Sequence, residues 1–143
     1  MTELLAPAGD LEAGYAALAY GADAVYLGLT RFSARAEATN FTPDALKTFT
    51  AFAHAKGKRV LVAVNTVIFD EELDGLIDTL CAVRDAKADG VIVQDLGTAR
   101  IIRKYFPTLR LHGSTQMAVH NREGVEALRD MGFKRVVLAR ELT

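Results

Sequence analysis

The chain has 143 residues, half of them hydrophobic, and this length suits one domain that buries a substantial core. Its formal net charge is −1, with both signs interspersed, which argues against a global basic field for nucleic-acid binding. One cysteine excludes an internal disulfide, and no apolar stretch approaches ~18 residues. The acidic start also lacks the pattern of a signal peptide, so we expect a cytoplasmic protein.

Six short apolar runs alternate with segments of helical periodicity. The runs cover residues 4–6, 24–27, 60–64, 91–93, 109–111 and 136–139. Strands that alternate with helices predict parallel βα units. In such sheets ligands bind at the carboxyl ends of the strands, where polar residues follow each run here.

Capping residues mark the predicted helices in chain order. The predicted N-caps are Asp10, Thr42 (followed by Pro43), Asp70 and Asn121. Pro107 and Gly132 mark predicted helix ends. Between them, one apolar stripe at helical spacing consists of Leu73, Leu76, Ile77, Leu80 and Val83.

A loose internal repeat supports the same division. The segment at 21–28, GADAVYLG, recurs in related form at 56–63, 87–94 and 132–139. Each copy combines a helix end, a tight turn and the entry into a buried strand. The repeat therefore predicts a series of similar βα modules.

Six modules fit two architectures. A closed eight-stranded barrel needs roughly 200 residues or more, so one reading is an incomplete barrel of the TIM type. The other is an open doubly wound sheet. The first βα turn, at 7–10, lacks GxGxxG, and no GxxxxGK[ST] occurs, which removes the main reason to favour a dinucleotide-binding sheet.

Two familiar kinds of catalytic centre receive little support. Asp95, His112 and Ser114 suggest a hydrolase triad, but residues two apart in a strand lie about 7 Å apart, too far for a nucleophile and its base. His54, His112 and His120 are scattered without metal-ligand spacing, so no metal site is predicted. Cys81 lies beside an apolar helical stripe and is interpreted as a small core residue.

Seven segments, taken together, resemble the U32, or collagenase-like, peptidase family. They lie at 3–10, 21–28, 32–41, 64–66, 93–96, 112–117 and 136–142, in the family's order over essentially the entire chain. The resemblance implies a TIM-type barrel of which this chain provides the first six strands. It also implies two activities, because members are named as peptidases while others hydroxylate RNA bases or a quinone precursor without oxygen.

The resemblance further implies a cofactor that these residues do not ligate. The hydroxylating relatives carry an iron–sulfur cluster on four cysteines downstream of the segment at 140–142, and the RNA-modifying ones are linked to prephenate as the hydroxyl source. Cys81 does not match a cluster ligand. We therefore expect residues 1–143 to be one (β/α) domain at the N-terminus of a longer protein, with no cofactor in this part and an iron–sulfur cluster in the whole.

Three functions follow from the resemblance. The preferred one is oxygen-independent hydroxylation of a tRNA or rRNA base by the intact protein. The alternatives are a collagenase-like peptidase and a non-catalytic fragment that binds RNA or a small carboxylate. On every reading we expect the 143-residue chain alone to be inactive.

The predicted site gathers polar residues from the strand ends into one cleft. The candidate catalytic residues are His112, Asp95 and Glu141, with His112 able to exchange protons. The candidate substrate-binding residues are Arg35, Asn65, Gln94, Gln116 and Arg140. The arginines suit a carboxylate or phosphate, and the amides suit a polar ligand. For Arg31 and Arg35, a solvated loop is an equally good reading.

An incomplete barrel also predicts self-association. Its first and last strands would present unpaired backbone groups at open edges. The run at 136–139 is nearly all apolar and is poorly suited to a solvent-facing edge. We expect a homo-oligomer that buries these edges, whereas an open sheet with strands one and six inside would be a monomer.

Overall fold

The computed structural model describes residues 2–34 and 40–142. Its strands are β1 (Leu5–Ala8), β2 (Ala24–Gly28), β3 (Arg59–Val64), β4 (Gly90–Val93), β5 (Arg110–Gly113) and β6 (Arg135–Val136). Its α-helices are α1 (Leu11–Ala19), α2 (Pro43–Ala55), α3 (Leu73–Asp85), α4 (Leu96–Tyr105) and α5 (Arg122–Asp130). Two 3-10 turns, Asp70–Glu72 and Thr115–Met117, precede α3 and α5.

All strand pairs are parallel, and the strands lie in the sheet in the order in which they occur in the chain, β1 to β6. The sheet curls into a partial barrel with the helices outside, as the first six strands of a TIM-type barrel would. A doubly wound sheet needs a point at which the strand order reverses, and this order has none. The predicted barrel is confirmed, and the open-sheet alternative is wrong.

Residues alternate between the two faces of the curled sheet. One set, with Val25, Val62 and Val91 as examples, is fully buried with Phe49 of α2 and Leu76 of α3 in the core between sheet and helices. Burial of each such side chain contributes about 1.5–3 kcal/mol. The alternate positions face the concave interior of the partial barrel and line its cavities.

Most helix signals hold. Asp10, Thr42 and Asn121 each accept a hydrogen bond from a backbone N–H in the first turn of the following helix, over 2.7, 3.2 and 2.8 Å. The helix α4 ends two residues before Pro107, and Gly132 follows α5 with a φ of +97°. The stripe on α3 is buried or packs against the core.

The predicted cap at Asp70 is wrong. Asp70 begins a 3-10 turn, and α3 itself starts at Leu73 without a side-chain cap. The carboxylate of Glu72 instead accepts a hydrogen bond from the Phe69 N–H over 3.0 Å. The turn therefore begins after Phe69, with the Phe69 N–H bonded by Glu72 and not by Asp70.

The last strand is shorter than its apolar run. Only Arg135 and Val136 pair with β5, although the Val137 N–H still donates to the Gly113 carbonyl over 2.9 Å. The Ala139 N–H then donates to the Val119 carbonyl over 2.7 Å. The backbone therefore leaves the sheet towards the loop after β5. Within the part of the chain described, no helix combines the length and apolarity needed to span a membrane.

Candidate functional site at the carboxyl ends of the strands

A cleft of about 680 Å³ opens at the carboxyl ends of the strands. This volume falls within the range of about 300–1,000 Å³ that is typical of small-molecule sites. Apolar side chains from the strand interiors line it together with polar groups from the loops that follow. The lining residues are Leu5, Tyr26, Ala34, Ala63, Asn65, Ile92, Ser114, Thr115, Gln116, Ala118, Val137, Arg140 and Glu141.

Two amide side chains are fixed on one side of the cleft. Asn65 follows β3, and its Nδ2 donates to Oε1 of Gln116 over 2.9 Å. The Oδ1 of Asn65 accepts from the Ala34 N–H over 3.0 Å, which ties the loop after β2 to the turn after β5. Ser114 Oγ donates to the same Gln116 oxygen over 3.1 Å. These bonds orient the Gln116 amide and leave its NH₂ group without a partner among the residues described.

Two opposite charges after β6 also line the cleft. Arg140 and Glu141 are adjacent, exposed and part of the cleft lining. Neither makes an ion pair or side-chain hydrogen bond within 2–34 and 40–142. Both side chains are therefore available to a ligand, one as a cation and one as a carboxylate.

The cleft thus brings together four of the predicted site residues: Asn65, Gln116, Arg140 and Glu141. Gln94 is half-buried and does not contribute to the lining. Asp95 is the N-cap of α4, where its Oδ1 accepts from the Thr98 N–H over 2.6 Å. Arg35 lies outside the described residues. The catalytic and binding roles assigned to these residues stay predictions.

His112 lies elsewhere. It is 7% exposed and lines a smaller cavity at the amino-terminal ends of the strands, not the cleft. The period of two along a strand explains this, because His112 faces the interior about 7 Å below Ser114. Burial lowers its pKa to about 4, helped by the positive charges of Arg135, Arg110 and Arg59. The imidazole is therefore neutral near pH 7.

The structure also tests the hydrolase triad of Asp95, His112 and Ser114. Ser114 Oγ bonds to Gln116, Asp95 caps α4, and Nδ1 of His112 has no hydrogen-bond partner among the described residues. Ser114, His112 and Asp95 are therefore not hydrogen-bonded to one another in this part of the chain, in agreement with the expectation from their spacing. A serine nucleophile at this position would lack a base.

The remaining candidates have structural contacts. Nε2 of His54 lies 2.9 Å from Oδ2 of Asp89, and Nδ1 of His120 lies 3.0 Å from the Ala118 carbonyl oxygen. Arg31 stacks over the Phe32 ring, 4.7 Å from its centroid. Cys81 is partly buried against the core, as expected. Across the described ranges, no three His, Cys, Asp or Glu side chains are placed to hold a metal ion.

Sequence reasoning missed Tyr26, which lines the cleft from the middle of β2. It stands in an apolar run, and only its place in the alternation distinguishes it. Its neighbours Val25 and Leu27 face the helices, so Tyr26 faces the interior. The signal was present in the sequence but needed the register of the strand.

Comparison with known proteins agrees with the fold. The solved structure of the U32 peptidase Mk0906 superposes with a TM-score of 0.76 at 15% identity, over 96% of this chain and 58% of that one. At this identity the similarity bears on the fold alone.

Two curated relatives match nearly the whole sequence. The tRNA hydroxylation protein P1 of Bacillus subtilis is 40% identical over 97% of this chain and 33% of its own length. The uncharacterized protease MJ0090 of Methanocaldococcus jannaschii is 41% identical over 100% of this chain and 34% of its own length. The chain thus spans about a third of these relatives. The model of peptidase family U32 matches residues 9–143, and the chain belongs to that family.

Proposed function

We propose that the protein containing this chain hydroxylates a base of an RNA without oxygen, and that the cleft forms part of its substrate site. The observation that carries the proposal is the pair of fixed amides, Asn65 and Gln116, in the same cleft as Arg140, which has no ion-pair partner among the described residues. The similarity to a tRNA hydroxylation protein supports the same reading. An RNA substrate also supports a cytoplasmic location.

The chemistry of the cleft suits an unstacked nucleotide. A base that has left its stack is recognised by hydrogen bonds to its edge and by contact with its face. The NH₂ of Gln116, which has no partner among the described residues, offers a donor to the edge, and the half-buried Tyr26 ring offers an apolar surface. Arg140 at the rim suits a phosphate of the RNA backbone.

An iron–sulfur cluster does not fit the residues described here. The sequence supplies one cysteine, Cys81, and it packs from α3 against the core on the helix side of the sheet. No step is therefore assigned to a cluster on these residues. We propose that cluster ligands in the whole protein come from residues beyond this sequence.

A deletion strain tests the function. Mass spectrometry of its RNA nucleosides should show the loss of one hydroxylated nucleoside, and the full-length gene should restore it. Arg140→Gln should reduce the restored nucleoside about ten- to hundred-fold, since a contact with a charged group contributes about 1.5–3 kcal/mol. Arg100→Gln, which removes an exposed arginine of α4 outside the cleft, is the matched control. Unchanged nucleosides in the deletion strain would contradict the proposal.

The peptidase alternative is supported by names, those of the matching family and of the M. jannaschii relative. Purified full-length protein should leave gelatin intact in the presence of a chelator. Cleavage under these conditions would favour the peptidase over the hydroxylase.

A further inference from the structure

The smaller cavity lies at the end of the strands opposite the cleft. Its volume is about 110 Å³, whereas one water needs roughly 10–15 Å³ by a comparable measure. It therefore has room for a small polyatomic ion. Its charged and titratable lining residues, apart from His112, are Glu3, Arg59, Asp89, Arg110, Lys134 and Arg135.

The charges around this cavity are unequally compensated. Glu3 forms ion pairs with both Arg59 and Arg135, the latter over 2.7 Å. Oδ2 of Asp89 accepts from the Val60 N–H over 2.7 Å and lies 2.9 Å from Nε2 of His54. Both carboxylates are thus engaged. The side chains of Arg110 and Lys134, both exposed residues, have no hydrogen-bond or ion-pair partner in the part of the chain that the structure describes.

His112 is a further polar group in this lining. Its side chain is 7% exposed and has no hydrogen-bond partner among the described residues. Nδ1 is enclosed, so the nitrogen that can reach a ligand in the cavity is Nε2, on the Gly90 side of the ring.

Gly90 provides the space beside this ring. A Cβ at this position would lie 2.9 Å from the Arg110 carbonyl oxygen and 3.4 Å from Nε2 of His112. The absent side chain keeps the region between Arg110 and His112 open.

We propose that this cavity binds a small oxyanion, held by Arg110 and Lys134 and by a hydrogen bond from the imidazole of His112. Sulfate, phosphate and a carboxylate share the required chemistry, because each accepts several hydrogen bonds and carries negative charge. A neutral imidazole can place its proton on the nitrogen that faces an acceptor. The guanidinium adds a planar fork of donors that matches two oxygens.

Binding at this site is coupled to a proton. Burial, Arg135, Arg110 and Arg59 lower the pKa of His112, while Glu3 and Asp89 are occupied by other partners. A bound anion offsets the arginine charges and favours the protonated imidazole. The affinity for an anion of constant charge should therefore rise as the pH falls towards the pKa of His112 in the free protein, about 4.

Titration calorimetry of the full-length protein with sulfate tests the site, since the charge of sulfate is constant over this pH range. We expect saturable binding at millimolar concentrations or below. The double variant Arg110→Gln/Lys134→Gln should weaken it at least about ten-fold, equivalent to about 1.4 kcal/mol. Lys47→Gln/Arg100→Gln removes the same charge from exposed positions on α2 and α4 and should leave the affinity unchanged.

Equal weakening by both double variants would show attraction to net charge only and would overturn the proposal, as would the absence of saturable binding. A titration with acetate shows whether the site prefers a carboxylate to a tetrahedral anion. Whichever of the two anions binds more tightly should lose affinity in Arg110→Gln/Lys134→Gln. In His112→Gln the increase in affinity at acid pH should disappear. A pH-independent affinity in the unaltered protein would contradict the role of His112. The cavity and the cleft lie at opposite ends of the sheet. If the RNA hydroxylation proposal fails, the test of the anion site is therefore unaffected.

Discussion

Individual side chains at the strand ends have different environments although they stand in similar places in the sequence. Asn65 and Gln116 bond to each other above the cleft, Asp95 is used by its own helix, and His112 is buried at the far end. The difference arises from the two-residue alternation and from local capping. A polar residue after a strand therefore indicates which end of the sheet carries the site, but it does not specify what that side chain contacts.

The burial of His112 predicts a loss of stability in acid. Its pKa is about 4 in the folded chain and near 6.5 when unfolded, so the unfolded state binds more protons between these values. The free energy of unfolding should therefore decrease as the pH falls through this interval, by about 3 kcal/mol when complete. Urea unfolding at a series of pH values, in chloride without sulfate or phosphate, measures it.

The carboxylates also titrate in this range, so His112→Gln serves as the reference. Relative to His112→Gln, the free energy of unfolding of the unaltered protein should decrease as the pH falls from about 6.5 to about 4. Parallel curves would contradict the assigned burial effect.

Secondary-structure elements follow from the sequence more fully than the site does. Apolar runs between helical stripes predicted the six strands of the sheet, and the pattern was clearest for β3 and β4, which are buried over nearly their whole length. The caps at Asp10, Thr42 and Asn121 were readable from side-chain chemistry. Asp70 was not, since Glu72 competes for the same role. The early end of β6 depends on the tertiary bond from Ala139 to Val119, which no local pattern reports.

The capping role of Asp95 gives a prediction for α4. Asp95→Ala should lower the free energy of unfolding by about 1 kcal/mol, because the Thr98 N–H loses its acceptor. Asp95→Asn should change it by only a few tenths, since asparagine caps equally well. Thermal or urea unfolding of both variants measures the effect.

Activity separates capping from catalysis. If Asp95 acts only as a cap, full-length Asp95→Asn should retain RNA hydroxylation. A variant that is stable but inactive would instead support the catalytic role predicted from the sequence.

At the scale of the whole molecule, the sheet has two outer strands. Within the described residues, β1 pairs only with β2, and β6 only with β5. Exposed apolar side chains lie near both edges, with Leu4 58% exposed and Leu138 42% exposed. Unpaired backbone beside apolar surface favours association with another chain.

We therefore expect the isolated 143-residue chain to form a homo-oligomer through these edges. Sedimentation at micromolar concentrations should give a mass above the 15.5 kDa of one chain. Replacing Val137 and Leu138 by lysine should shift the population towards monomer, because charge on an edge opposes pairing. A cooperative monomer of the unaltered chain would contradict this expectation.

The sequential strand order also determines how the chain can fold during its synthesis. Each strand pairs with the one made just before it, so a new βα unit finds its template already outside the ribosome. At roughly 5–20 residues per second, successive units emerge seconds apart, far more slowly than a local turn or helix forms. Glu3 has partners that are made at different times, because Arg59 lies 56 residues later in the chain and Arg135 lies 132 residues later. Its carboxylate can pair with Arg59 once β3 is in place, whereas its second partner arrives only with β6.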